Sequence, residues 1–147
     1  MMTYKLRKAL EGDSGRIKKL VIEADINPSA LDWRRFILAV DDEDHLLGCG
    51  QIKPHGKTVL ELASIAVRPN YQNQGIARAI IENLLEGSPR PIYLMCQSSL
   101  GPLYKKFGFR KLDYDKMPRY FQRISKVAGV IEALDEVGET LFVMKLE

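Results

Sequence analysis

The chain has 147 residues, 46% hydrophobic and 28% charged, and its 22 basic and 19 acidic side chains leave a formal net charge of +3. That size and composition suit one domain with a substantial core. No apolar run approaches the ~18 residues of a membrane span, so no membrane partner is expected, and the mixed charges form no basic stripe of the kind a nucleic-acid partner requires.

The N-terminal stretch MMTYKLRKALEGDSGR is charged and lacks a signal-peptide apolar region, which predicts a cytoplasmic protein. Its YKLRKA alternates and predicts a first strand over Thr3–Ala9. Asp13 is a good N-cap for a helix carrying Ile17, Leu20 and Val21 at helical spacing. INPS breaks that helix, and Ser29 is then placed to cap a short second one through ALDWRRF. FILAV, LLGCGQIK and TVLELASIAV, separated by DDEDH and PHGK, predict an antiparallel meander.

A helix from about Gly75 to Glu86 follows, with Ile76, Ile80, Leu84 and Ala77, Ile81, Leu85 inward and Arg78, Glu82 and Asn83 outward. IYLMC reads as a strand buried on both faces. SSLGPLYKKFGF predicts a short helix with Gly108 just past its end, and Phe109 opens another strand. MPRYFQRISKVAGVIEAL carries Phe121, Ile124, Ala128, Ile131 and Leu134 at three- and four-residue steps and predicts a helix over 118–134, with Pro118 at its first position. ETLFVMKLE is the last strand.

The two cysteines, Cys49 and Cys96, lie in apolar strand-like runs, where free cysteine is a small buried hydrophobe. The two histidines, His45 and His55, sit in turn-like contexts and form no ligand pair. No metal is therefore expected.

The segment VRPNYQNQGIARAIIENLL passes from a strand through a polar loop into a helix. The first turn of a helix carries unpaired N–H groups and partial positive charge, which suits phosphate, and a glycine lets the backbone approach it. Gly75 and Ala77 provide that access after Gln72, Asn73 and Gln74. The nucleoside-triphosphate P-loop needs a second glycine and Lys-Ser/Thr, which are missing here. The dinucleotide fingerprint needs three glycines early in a βαβ unit and also fails.

Gln72-x-x-Gly75-x-Ala77 resembles the Gln/Arg-x-x-Gly-x-Gly/Ala signature of the GNAT superfamily of N-acetyltransferases. ELASIAVRPNYQ resembles that family's fourth strand and its exit, and LGPLYKKFGF resembles its LYxKxGF block. The order of predicted elements agrees over nearly the whole chain. The resemblance implies a single acetyltransferase domain over 1–147 of α/β (α+β) class. Its sheet is mixed, mostly antiparallel and six- to seven-stranded, flanked by helices, with an extra helix before the last strand.

The resemblance also implies acetyl-CoA as co-substrate. Its pyrophosphate is held by backbone N–H groups of Gln72, Asn73, Gln74, Gly75, Ile76 and Ala77, and its pantetheine arm pairs with backbone at Ile65 and Val67. At the end of the fifth strand, where the family often has asparagine, this chain has Gln97, Ser98 or Ser99; Ser98 or Ser99 either hydrogen-bonds that arm or caps a helix. Tyr104 matches the tyrosine that protonates the departing thiolate; the other reading is a packing tyrosine. Glu61 matches a glutamate that some members use as general base. Strand alternation places it on the face of Ala63, Ile65 and Val67, and the other reading is a rim glutamate paired to a lysine.

The acceptor side is expected to involve residues 24–36, Gln51 and the start of the extra helix, with Trp33, Arg34, Arg35, Met117, Arg119 and Tyr120 as candidates. Arginine there binds a carboxylate or is simply surface charge. The implied function is acetyl transfer to a primary amine of a small molecule such as an amino acid, by direct attack in a ternary complex. A protein or peptide acetyltransferase and a non-catalytic acyl-CoA-binding module are the alternatives. A homodimer is implied by analogy alone.

Overall fold

The computed structural model describes residues 3–132 and 138–147. Seven strands are hydrogen-bonded in the order β1-β2-β3-β4-β5-β7-β6, and four α-helices accompany them. The chain divides into two compact units, Met1–Lys53 with Leu62–Pro89 and Pro54–Glu61 with Arg90–Glu147.

The first unit holds β1 (Lys5–Lys8), α1 (Ser14–Glu23), β2 (Phe36–Val40), α2 (Ile76–Glu86) and most of β3 (Leu46–His55) and β4 (Val59–Val67). β1 and β2 are antiparallel from Lys5 opposite Val40, and β2 and β3 from Phe36 opposite Gln51. Helix α1 forms because Ile17, Leu20 and Val21 make one apolar stripe; all three are buried against Phe36, Leu38, Val40 and Ala66. Helix α2 buries Ile76, Ile80, Ile81, Leu84 and Leu85 and leaves Ala77 half-buried. It sits close to β3 because residues 48 and 50 lack side chains. A Cβ at Gly50 would stand 2.5 Å from Ile65 Cδ1 and 2.8 Å from Ile80 Cγ2, and one at Gly48 3.1 Å from Ile76 Cγ2.

Two local expectations fail here. Asp13 precedes α1, yet its side chain makes no cap hydrogen bond. Its buried carboxylate instead accepts from Arg7 Nη1 at 2.8 Å, from Arg16 Nη2 and from the Leu10 N–H at 2.7 Å. Two guanidinium groups outcompete the helix N–H for the same oxygens. The helix expected after Ser29 is only a 3₁₀ turn over Trp33–Arg35, and its cap is Asp32, which accepts from the Arg34 N–H at 3.0 Å. The left-handed backbone of Ala30 (φ 55°) blocks a helix starting at Ser29.

The second unit holds the rest of the β3–β4 hairpin, β5 (Ile92–Gln97), α3 (Gly101–Lys105), β6 (Arg110–Lys111), α4 (Arg119–Glu132) and β7 (Leu141–Leu146). β5 pairs with β7 antiparallel along its whole length, and parallel with β4 at Glu61 opposite Tyr93. Ile92, Tyr93, Leu94 and Cys96 are all buried, as an unalternating strand requires. Gly108 follows α3 with φ 99°, a conformation that glycine adopts without strain. Helix α4 confirms the extra helix before the last strand and begins one residue later than expected, with Pro118 as the carbonyl that accepts from the Gln122 N–H at 3.0 Å. Phe121 anchors it, fully buried with Tyr93 and Val143. Leu134, expected on the same stripe, lies outside the described residues.

Candidate active site

The β4–α2 connection is built to leave its backbone donors free. After β4 the chain makes a 3₁₀ turn over Pro69–Tyr71, then enters left-handed backbone at Asn73 (φ 62°) and again at Gly75 (φ 84°), the N-cap of α2. Gln72 Nε2 donates to the Val67 carbonyl at 3.1 Å and Gln74 Nε2 to the Asn70 carbonyl at 3.3 Å, so both glutamines brace the loop. No side chain caps the helix, and the N–H groups of residues 73–78 donate to no group among the described residues. Successive N–H groups in alternating backbone conformations make an anion-binding concavity, and the helix dipole adds to it. Beside the loop lies a cavity of about 450 Å³ lined by Leu20, Ala24, Ile26, Ile65, Val67 and Gln72 among others. It brings the apolar strand positions Ile65 and Val67 together with the loop.

A second cluster lies wholly in the other unit. Glu61 is 3% exposed, and its Oε1 stands 2.7 Å from His55 Nε2. The His55 ring stacks on Tyr120, with centroids 3.7 Å apart and planes 21° apart. Phe121 meets the same imidazole edge-on at 6.1 Å. Burial and the Glu61 charge push the Tyr120 hydroxyl pKa up. Glu61 is therefore a buried carboxylate held by a histidine, not a rim glutamate paired to a lysine. A carboxylate shut away from water needs such a partner. The alternation that set Glu61 on the face of Ile65 is interrupted by Ser64, whose φ is 59° inside the strand.

Tyr104 leaves α3 half-buried, with its ring edge-on to Phe109 at 6.2 Å. Its hydroxyl makes no hydrogen bond among the described residues. Burial, with a smaller contribution from Cys96, pushes its pKa up to about 12. Burial also raises Cys96 to about 11 and Cys49 to about 12, so neither thiol is a nucleophile near neutral pH. Ser98 donates its hydroxyl to Glu139 at 3.0 Å and accepts from the Thr140 N–H at 3.2 Å, which ties the end of β5 to the start of β7.

Polar groups also collect behind β3 in the first unit. Gln51 is fully buried; its Nε2 donates to Ser64 Oγ at 2.9 Å and to the Ala30 carbonyl at 3.4 Å, while its Oε1 has no partner. A buried acceptor left unpaired costs about 1–3 kcal/mol. Lys53, 7% exposed, reaches only the Ser29 carbonyl, at 3.5 Å, among the described residues. Arg34 and Arg35 are tied to Asp32, and Arg34 lies 4.9 Å over the ring of Trp33, which packs on the core. Among the described residues no three His, Cys, Asp or Glu side chains gather as a metal site requires. None of the described helices is long and apolar enough to cross a membrane.

A larger cavity of about 710 Å³, lined by Gly108, Arg110, Lys111, Lys116 and Lys145 among others, contains none of the residues expected to act. The geometry also adds one residue that sequence reasoning passed over. His55 sits at the end of β3, where its only sequence signal was proximity to a strand that carries a carboxylate.

The family model for the acetyltransferase (GNAT) domain matches residues 32–111, which include the β4–α2 loop, Glu61 and Tyr104. The chain belongs to the GNAT family. A search against curated proteins found no match. Among solved structures, this GNAT chain is similar in fold to N-acetylglutamate synthase from Neisseria gonorrhoeae complexed with coenzyme A and N-acetyl-glutamate. The TM-score is 0.72 at 17% identity, covering 100% of this chain and 36% of that one, so the chain spans about a third of that enzyme's length. It is similar to Rv2747 from Mycobacterium tuberculosis in complex with CoA and NLQ, with TM-score 0.71, 22% identity and coverage of 97% and 98%. It is also similar to the ribosomal-protein-S18-alanine N-acetyltransferase from Escherichia coli, with TM-score 0.69, 17% identity and coverage of 98% and 93%.

Proposed function

We propose that this GNAT domain transfers an acetyl group from acetyl-CoA to a primary amine of a small molecule of amino-acid type, by direct attack in a ternary complex. The observation that carries the reading is the loop of residues 73–78, whose N–H groups donate to no group among the described residues and which opens a helix whose dipole favours an anion. That donor set fits a pyrophosphate, and the adjacent apolar cavity at Ile65 and Val67 fits the pantetheine arm. Two similar folds hold coenzyme A, one of them with N-acetyl-glutamate, which supports an amino-acid acceptor.

Acetyl-CoA supplies the activated acyl group. The chain's own residues bind it and move two protons. The His55–Glu61 pair takes up the proton that the amine must lose as it attacks the thioester carbonyl. Tyr104 stays protonated well above neutral pH and donates its proton to the sulfur as the C–S bond breaks. The products are the acetylated amine and the free thiol of CoA; the His55–Glu61 pair then gives its proton to solvent and the Tyr104 oxygen takes one back, which restores both groups. Ser98, bonded to Glu139 and to the Thr140 N–H, holds the end of β5 against the start of β7.

A thermal-shift comparison of acetyl-CoA, ATP and NAD at equal concentration tests the reading. A ligand at 100 times its dissociation constant adds about 2.7 kcal/mol, a shift of roughly 5–11 °C for a chain of this size. Acetyl-CoA alone is expected to give it, with thiol release following when amines are added. An equal or larger shift with ATP or NAD would end the acetyltransferase reading.

A further inference from the structure

Gln51 and Lys53 stand two positions apart on β3, so both project to the same face. Both are more than nine-tenths buried, and both are incompletely partnered. The Ala30 carbonyl can only accept, so it fixes the Gln51 amide with Nε2 toward Ala30 and Ser64 and leaves Oε1 as the orphan. Ser64 Oγ accepts from Gln51 and keeps its own proton to donate, and it is held there by left-handed backbone inside a strand. The Lys53 ammonium has no carboxylate within 4.0 Å among the described residues. One buried amine, one free hydroxyl proton and one orphaned carbonyl oxygen therefore lie close together: Gln51 meets Ser64 directly, and Gln51 and Lys53 reach the adjacent carbonyls of Ala30 and Ser29. A protein that satisfies its other described buried side-chain polar atoms leaves this set open for a ligand.

We propose that Lys53, Gln51 and Ser64 form the acceptor subsite and take a small amine that bears a carboxylate, of α-amino-acid class. Its carboxylate accepts from Lys53 Nζ and the Ser64 hydroxyl, and its amino group donates to Gln51 Oε1. This assigns the carboxylate to Lys53 in place of Arg34 and Arg35, which Asp32 already holds. The subsite's role as acceptor rests on the acetyltransferase reading, but its ligand chemistry does not.

Direct binding separates the two. Isothermal titration of the full chain with the twenty L-amino acids and with their decarboxylated amines is expected to find at least one amino acid that binds. Its amine counterpart should bind at least about 10- to 100-fold more weakly, the loss that goes with one charge-assisted hydrogen bond. Lys53→Met should weaken the amino acid by a similar factor and leave the amine's binding unchanged; Gln51→Met, checked by circular dichroism for folding, should weaken both. The wild-type comparison of acid with amine needs no variant. Binding of no amino acid, or equal binding of acid and amine, overturns the proposal. Amino-acid binding that follows this pattern without any binding of acetyl-CoA upholds the subsite and overturns the transferase reading instead.

Discussion

His55 Nε2 lies 2.7 Å from Glu61 Oε1, and both side chains are largely removed from water. A histidine and a carboxylate at that distance are directly hydrogen-bonded, which holds the imidazole and the carboxylate in one fixed geometry. Glu61→Gln and His55→Gln are each expected to lower kcat/KM about 10²- to 10⁴-fold at neutral pH. Part of the activity should return at alkaline pH, where the amine substrate loses its proton to solvent. A pH–rate profile of each variant checks this, and profiles parallel to wild type would remove the pair from the chemistry.

Tyr104→Phe keeps the ring against Phe109 and deletes the hydroxyl, which has no protein partner among the described residues to lose. Its stability should change little. The rate of thiol release should fall about 10²-fold or more, with acetyl-CoA affinity unchanged. Because burial raises this hydroxyl to about 12, no alkaline limb from Tyr104 should appear below pH ~10, the ordinary tyrosine value. Ultraviolet titration of wild type against the variant reads that directly.

Asp13 is held well below the usual carboxylate range, first by Arg7, then by Arg16 and the Leu10 N–H, against its burial. A carboxyl whose folded pKa is depressed contributes stability above its unfolded value, ~3.9, and loses it as pH falls toward the folded value. Asp13→Asn should therefore cost roughly 2–3 kcal/mol at pH 7, about 4–12 °C in Tm. The gap to wild type should shrink below pH 4. A gap that persists undiminished at pH 2–3 would contradict the ion-pair account.

Gly50→Val places methyl groups where Ile65, Ile80 and Leu84 already stand. Overpacking of this kind costs about 1–3 kcal/mol, read as a lowered midpoint in urea. Since the blocked contacts sit between β3 and α2, acetyl-CoA should also bind more weakly, although residue 50 is not on the loop. A variant with unchanged midpoint and unchanged affinity would show that α2 can shift without consequence.

The elements legible in the chain were those with long, strong periodicity. Helices α1 and α2 and the unalternating β5 follow from spacing alone, because the same apolar positions that pattern them also bury them. The turn of the β4–α2 loop into its helix was legible because its logic is local: glycine and polar residues at a helix start. His55 was not legible. KPHG reads as a turn, and the ring gains meaning only where Tyr120, from a helix far along the chain, stacks on it. Asp13 and Ser29 misled for the opposite reason. Capping rules weigh near neighbours in sequence, whereas Arg7 and Arg16 win the Asp13 oxygens through tertiary placement, and Asp32 lies closer than Ser29 to the turn that forms.

The bare backbone of β3 at Gly48 and Gly50 has a consequence for how variants of this protein will be read. The height of α2 above the strand is set there by missing methyl groups, and the helix carries the free N–H groups at its own first turn. On the proposed reading of that first turn, inherited or laboratory substitutions at these two positions are expected to present as defects in acetyl-CoA affinity without altering any group proposed to touch it. A mutational scan scored only by activity would map them into the binding site. Scoring the same library for abundance as well would return them to the core, where the geometry puts them.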